Sequence, residues 1–377
     1  MLCAFSARSW GHRLEARMSK MPLTITLALH AMATRFEMVL HGENPVALRA
    51  AGEESLAEIE RLEAQLSLYR ETSEIAHLNA RAAQGPVRVT PGLFALLEQA
   101  RQLHRESGGA FDITIAPLVR CWGFMGGGGQ LPDAAALAEA RASVGMGLVE
   151  LDAERLTVRF ACPGVMLDLG AIGKGYAIER ATDILREAGV TSALVHGGTS
   201  TVFGLGHPPE AECWKVAVES PRHGMERARG GVPAENLPPE GGVPMRHGMA
   251  GARAGVPAAI QGKRTPGETL ATVALRDQAM SVSAVWGRSF EVEGKTFGHV
   301  LDPRTGCPVS GAVLAAVVLP SATETDALST ALLVLGMEGR RKLAGLRPGM
   351  KTVLVAEAEE GFRVETNGIA TERSKAR

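Results

Sequence analysis

Lys174 stands among glycines in "LDLGAIGKGYA" (residues 167–177), a few residues after Asp168. A lysine beside the start of a helix adds a full positive charge to backbone amides that already favour anions, which is phosphate chemistry. The stretch is not a Walker P-loop: Gly175 follows Gly173-Lys174 where Ser or Thr is needed, and Asp168 occupies the place of the first glycine. It is not the dinucleotide fingerprint either, because Ile178 stands where the third glycine belongs. A strand-to-helix turn that needs small residues accounts for the glycines alone. Asp168 adds a carboxylate able to bind sugar hydroxyls, a ring N–H or a cation.

Three further stretches carry candidate chemistry. In "TDALST" (325–330), Asp326 and Thr330 are four apart on an expected helix and share a face. A carboxylate and a hydroxyl are hard oxygens that suit Mg²⁺, which keeps waters and borrows substrate phosphates. An acidic residue complementing a helix N-terminus accounts for the same pair. "GHVLDPRTGCP" (298–308) reads as a turn set by Asp302, Pro303 and Gly306, with His299 ahead of it as a possible proton shuttle or a structural strand residue. "ESGGAFDITIAPLVRCWGF" (106–124) reads as an ordered segment with aromatics after a helix end.

These stretches are positioned by interleaved helices and strands. Apolar residues at three- and four-residue spacing predict an amphipathic helix over 46–69, a second over 92–109, a third from about Lys174 to Gly189, and a fourth over 321–336. The last opens with a capping-box pattern, Ser321 with Glu324. Strands are expected in 148–160, 164–170, 192–198, 214–220, 270–277, 289–301 and 313–320, with a closing hairpin over 351–365. "RMSKMPLTITLALHAMA" (17–33) has features of a secretory signal, but Thr24, Thr26 and His30 and its continuation into "TRFEMVLHG" favour a first strand. The mixture predicts an α+β fold of largely antiparallel strands with packed helices.

Bulk properties exclude several classes. The 377 residues carry 40 Lys plus Arg against 41 Asp plus Glu, so no charge excess points to nucleic acid. No apolar run approaches the ~20 residues of a transmembrane helix. Five widely spaced cysteines without a C-x-x-C predict reduced, mostly buried thiols, not a disulfide framework or a zinc site. Residues 1–20 are expected to be a disordered extension, followed by one domain over 21–370. Residues 221–267 interrupt it: they are Pro-, Gly- and Arg-rich, and "RHGMERARGGVPA" returns as "RHGMAGARAGVPA". With no apolar face to stack, this repeat reads as a disordered insertion.

Taken together and in this order, the motifs resemble the ApbE-type FAD:protein FMN transferase family. The matching stretches are "MAT" (32–34), "LSLYRETSEIAHLN" (66–79), "GGAFD" (108–112), "LDLGAIGKGYA" (167–177), "GHVLDPRTGCP" (298–308) and "TDALSTALLVLG" (325–336). The resemblance implies an ApbE-like (T-fold-like) architecture and Mg²⁺-dependent transfer of the FMN half of FAD to a Thr or Ser hydroxyl of another protein, releasing AMP. It implies FAD contacts at Met32, Tyr69, Ala110, Phe111, Asp112, Asp168, Lys174 and Leu301. It implies metal ligation by Ala171 (through its carbonyl), Asp326 and Thr330, and catalytic roles for His299 and Lys174. Tyr69 and Phe111 are the expected stacking faces for a flavin or adenine ring. The expected acceptor is a flavoprotein with a Ser/Thr-Gly-Ala-Thr-like motif, a motif this chain lacks.

The pattern departs at "SVSAVWGR" (281–288), where Val282, Ala284 and Trp286 stand for Thr, Gly and Tyr; at Ala33, which stands for Gly; and at "VHGGTS" (195–200), which lacks an acidic residue after the glycines. These departures bear on the flavin pocket more than on the metal ligands. An FAD pyrophosphatase, releasing FMN and AMP, would use the same residues; a non-catalytic flavin carrier is the other alternative. Cys3 is too near the start for a lipoprotein signal, which favours a cytoplasmic location over a periplasmic or membrane-associated one.

Overall fold

A computed structural model describes residues 22–221, 269–359 and 361–371 of the chain. The expected N-terminal extension and all but the first residue of the expected insertion lie outside the described residues.

The Pro/Asn-punctuated N-terminal region opens on a hairpin, β1 (Leu23–Ala31) and β2 (Thr34–Gly42), so the apolar run is a strand as its threonines suggested. Met32 and Ala33 form its two-residue turn with φ of 50° and 55°. Positive φ at both central residues matches the twist of the flanking strands. Further strands are β3 (Val87–Arg88), β4 (Val149–Asp152), β5 (Thr157–Phe160), β6 (Ser192–Gly197), β7 (Thr201–Leu205), β8 (Trp214–Glu219), β9 (Thr269–Leu275) and β10 (Gln278–Ala284). They continue with β11 (Ser289–Val292), β12 (Lys295–Gly298), β13 (Ala312–Leu319), β14 (Lys351–Glu357) and β15 (Phe362–Asn367). Eight of them form one antiparallel sheet in the order β1-β2-β6-β7-β10-β13-β14-β15.

Three long helices cover one face: α1 (Pro45–Leu66), α6 (Gly173–Glu187) and α7 (Ala322–Ala344), the last kinked at Gly336. The β8–β9 pair covers part of the other, with Trp214, Val218 and Val273 packed on Leu314, Ala316 and Val318 of β13. Both faces of β13 are therefore apolar. Ala315, Val317 and Leu319 alternate into the helix-side core, and the strand is buried end to end. Shorter helices α2 (Glu74–Arg81), α3 (Pro91–Glu106), α4 (Ala116–Cys121) and α5 (Ala134–Ala142) complete the described fold. The result is the expected α+β architecture.

Several expectations change. Residues 164–170 are not a strand: the backbone of Leu167 is satisfied by a side chain, with its N–H donating to Asn79 Oδ1 (2.8 Å) and its carbonyl accepting from Asn79 Nδ2 (3.0 Å). One amide side chain thus replaces a strand partner. The capping box at α7 is half formed. Ser321 accepts from Glu324 N–H, but the Glu324 carboxylate pairs with Arg347, and Glu179 of α6 caps the helix start instead, accepting from Ser321 Oγ (2.7 Å) and Thr323 N–H (2.8 Å). The four described cysteines are free as expected, but none is buried, and Cys307 is exposed just after the 302–306 turn. Among the described residues no helix is long and apolar enough to cross a membrane.

Candidate active site

Two helices cross where Gly175 meets α7. A Cβ at Gly175 would lie 2.2 Å from Ala322 O and 2.7 Å from Asp326 Cβ. Only glycine permits this approach. The glycine therefore serves helix packing, and what approaches it is α7. The contact delivers Asp326 to the first turn of α6, where Gly175 N–H donates to Asp326 Oδ2 at 2.9 Å and Lys174 Nζ stands 4.0 Å from the same oxygen. A buried carboxylate at a helix N-terminus is stabilised by the amide and the dipole.

This corrects the picture of an amide cradle. The N–H groups of Gly173, Gly175 and Tyr176 are spent on Leu169 O, Asp326 Oδ2 and Ile172 O. Positive charge for a phosphate comes from the Lys174 side chain. Its ammonium donates to Gly170 O (2.8 Å) and retains further donors. Asp168 sits in the turn with Oδ1 accepting from Gly170 N–H at 2.8 Å. Burial pushes its carboxyl up from the ordinary carboxylate range, against the Gly170 bond and the charges of Lys174 and Arg288.

Thr330 lies one turn beyond Asp326 on α7, its hydroxyl 3.1 Å from Ser283 Oγ and 3.4 Å from Asp326 O. Among the described residues no three His, Cys, Asp or Glu side chains gather into a metal site. A cation here would depend on one carboxylate with neutral hydroxyl and carbonyl oxygens. Asp326 and Thr330 would supply two such oxygens from one face of α7, and the Ala171 carbonyl stands in the turn that opens α6. Such a set fits Mg²⁺, which takes few protein ligands and completes its octahedron with water and phosphate oxygen.

His299 follows β12. Its backbone N–H donates to Arg288 O (3.0 Å) and its Nδ1 lies 3.1 Å from the same carbonyl. A carbonyl only accepts, so Nδ1 carries the proton and Nε2 keeps its lone pair in the neutral ring. Burial, aided by the charges of Arg288 and Lys174, holds the imidazole below its usual pKa against the Arg288 carbonyl bond. A neutral imidazole with a free Nε2 is a proton acceptor.

The remaining expected contacts divide. Met32 N–H donates to Glu63 Oε1 (2.7 Å), and Glu63 also pairs with Arg70, next to Tyr69. Tyr69 is 61% exposed. Phe111 is 1% exposed and packed in the helix-side core, so its ring is unavailable for stacking. Ala110 is buried beside it. Asp112 is occupied internally, Oδ1 accepting from Thr114 N–H and Oγ1 and Oδ2 facing His104 Nδ1 at 3.1 Å. That contact raises the His104 pKa, against its partial burial. His104, Asp112, Arg141 and Arg304 line a cleft of about 510 Å³. Leu301 is buried among Leu118, Trp122 and Phe124. The turn after it is built as read, with Gly306 N–H on Asp302 O (2.7 Å), Arg304 N–H on Asp302 Oδ1 (2.9 Å) and Gly306 at φ 76°.

Sequence reasoning missed Thr201, Ser281 and Glu179, which reach Asp326 or α7 from distant segments. For Ser281 a signal existed: Ser281 and Ser283 alternate in "SVSA" and so share one face of a strand. Val282 packs on the other face, away from Asp326. Its departure from the family pattern leaves the Asp326 surroundings untouched.

Comparison with known proteins places this geometry. The ApbE family matches residues 32–237 and 241–354. An FAD:protein FMN transferase of Treponema pallidum is 31% identical over 336 residues, covering 84% of this chain and 80% of that protein. One from Haemophilus influenzae is 26% identical and covers 90% and 88%. The apo crystal structure of the Pseudomonas stutzeri flavinyl transferase ApbE superposes with a TM-score of 0.72 at 26% identity, covering 92% of this chain and 96% of that one. An ApbE protein of Thermotoga maritima, at 24% identity and TM-score 0.73, shares the fold.

Proposed function

Since this chain belongs to the ApbE family, we propose that it transfers the FMN moiety of FAD to a Ser or Thr hydroxyl of a target flavoprotein, with AMP as the leaving group. FAD is the flavin donor, and the acceptor is a separate protein bearing a Ser/Thr-Gly-Ala-Thr-like motif. The observation that carries this reading is the crossing of α6 and α7. It sets the Lys174 ammonium 4.0 Å from the buried Asp326 carboxylate, with the Thr330 hydroxyl one turn further along α7.

Displacement at a diphosphate phosphorus demands charge neutralisation and alignment more than covalent help. Lys174 faces the diphosphate and stabilises charge building on its oxygens. Asp326, Thr330 and the Ala171 carbonyl would hold a Mg²⁺, which offsets the same charge when bound. His299 Nε2 accepts the proton of the incoming hydroxyl. The acceptor oxygen bonds to the FMN phosphorus, the P–O bond to the bridging oxygen breaks, and that oxygen leaves with AMP. Tyr69 offers its ring to one end of the dinucleotide, and Asp168 binds donors of the flavin nucleotide beside Lys174.

Incubating the purified chain with FAD, Mg²⁺ and a small acceptor domain bearing the motif tests this. Flavin fluorescence on the acceptor that survives a denaturing gel and disappears with EDTA is the expected result. FMN and AMP in solution without labelled acceptor would replace the transferase with a pyrophosphatase, and intact bound FAD would replace it with a carrier.

A further inference from the structure

Asp326 is also held from the sheet side, by hydroxyls of β7 and β10. Its Oδ1 accepts from Thr201 Oγ1 (3.4 Å); Ser281 Oγ lies 3.1 Å behind Thr201, and Thr325 Oγ1 lies 2.8 Å behind Ser281. Thr201 and Ser281 are directly paired across β7 and β10. All three hydroxyls are buried. Each hydroxyl has one proton, and a carboxylate only accepts. The one arrangement that makes every link a hydrogen bond runs from Thr325 to Ser281 to Thr201 to Asp326. Thr325 Oγ1 can instead give its proton to Ala322 O at 2.9 Å, and the part that reaches the carboxylate, Ser281 to Thr201 to Asp326, is the same in either case. Donors aligned in one direction polarise one another and fix their terminal acceptor. Two residues further along β10, on the same face, Ser283 Oγ meets Ser329 (2.8 Å) and Thr330 (3.1 Å).

We propose that the hydroxyls of β7 and β10 are positioning residues for a divalent cation. Thr201 and Ser281 orient the Asp326 carboxylate, and Ser283 orients the Thr330 hydroxyl. The inference rests on the assignment of Asp326 and Thr330 as cation ligands. Outer groups that orient a ligand typically change metal affinity by about 10–100-fold when removed. Buried in a dry interior, they cost desolvation that their neutral, mutually bonded arrangement offsets.

The test follows free Mn²⁺ by its EPR signal as it is titrated into the full-length protein with FAD present and no acceptor. Ser281→Ala and Thr201→Val are expected to weaken Mn²⁺ binding by about 10–100-fold. Thr201→Ser, which keeps the hydroxyl, is expected to restore wild-type affinity. A thermal melt separates this from a purely structural role, in which the melting temperature falls while the folded protein binds Mn²⁺ unchanged. Wild-type affinity in Ser281→Ala and Thr201→Val, with binding lost in Asp326→Asn, would overturn the positioning role and keep the cation site. Unchanged binding in Asp326→Asn, or none in the wild type, would overturn the cation site and this inference with it.

Discussion

The two sides of the site are built differently. On one side, Asp326, Thr330 and Lys174 ride on α6 and α7, and the Asp326 and Thr330 side chains are backed by hydroxyls from β7 and β10. On the other, His299, Leu301 and Asp302 lie outside the helices and long strands, in and around the turn that follows β12. Their partners are backbone carbonyls, a turn and an aromatic cluster of Trp122, Phe124, Phe290 and Phe297. Groups on helices and strands are held more tightly than groups on loops. The α6–α7 side is therefore preorganised, whereas the loop side can vary in shape. The departures from the family pattern at Ala284 and Trp286 fall in and after the end of β10, toward the loop side.

Breaking the rigid side should cost most. Asp326→Ala removes the buried carboxylate proposed to face the cation and leaves Gly175 N–H and Thr201 without an acceptor. Loss of flavin transfer by about 10³-fold is expected, the scale of a lost electrostatic contact in a transition state. FAD binding, followed by flavin fluorescence, should survive in part; activity within tenfold of wild type would detach Asp326 from the chemistry.

Next comes the helix crossing. Gly175→Ala places a methyl against the Ala322 carbonyl, which has no side-chain freedom to yield. A destabilisation of about 1–3 kcal/mol in urea is expected from such overpacking, together with a loss of transfer. Gly170→Ala is the control in the same turn. There the nearest atom is the Asp168 carboxylate oxygen at 3.0 Å, the end of a side chain. Equal effects at the two glycines would remove the crossing from its central place.

The loop side is sharpened by pH. With neutral His299 proposed as the proton acceptor, transfer is expected to fall as pH drops through a pKa below the ordinary 6.5. The Arg288 charge is one cause of that depression. In Arg288→Gln the imidazole holds its proton more readily, and the acid limb of kcat/KM should move to higher pH. A limb that stays in place would assign it to another group.

The smallest effect is expected at the 221–267 segment. The pairing of β8 with β9 joins Val218 to Ala271 and Glu219 to Thr269, so the two ends of the segment leave from adjacent strands. Replacing residues 222–267 with a short turn should leave flavin transfer within about twofold, since each halving of a loop changes closure entropy by only about 0.6 kcal/mol. Loss of folding would show that the segment belongs to the core.

Much of this was legible in the chain. Periodicity located α1, α3, α6 and α7, and the turn at Asp302-Pro303 folds as its residues require. Short-range rules failed where a distant group competed. Glu324 leaves its capping position for Arg347, a charged partner worth more than a backbone N–H, and Glu179 takes the vacated role. Phe111, read as a stacking surface, is drawn into the core because nothing in a short motif reports which face of a loop is covered.

By itself the sequence determined the four long helices and most of the strands, which faces are apolar, and that Lys174, Asp326 and Thr330 are chemically suited to a diphosphate and a cation. Those properties depend on spacing over a few residues, and spacing is local. The tertiary structure alone decided that Gly175 admits α7, that its N–H meets an aspartate 151 residues away, and that a hydroxyl from β7 steadies the same carboxylate across 125 residues. Contacts of about 3 Å over such separations arise from how two helices cross on one sheet, and no local pattern encodes a crossing.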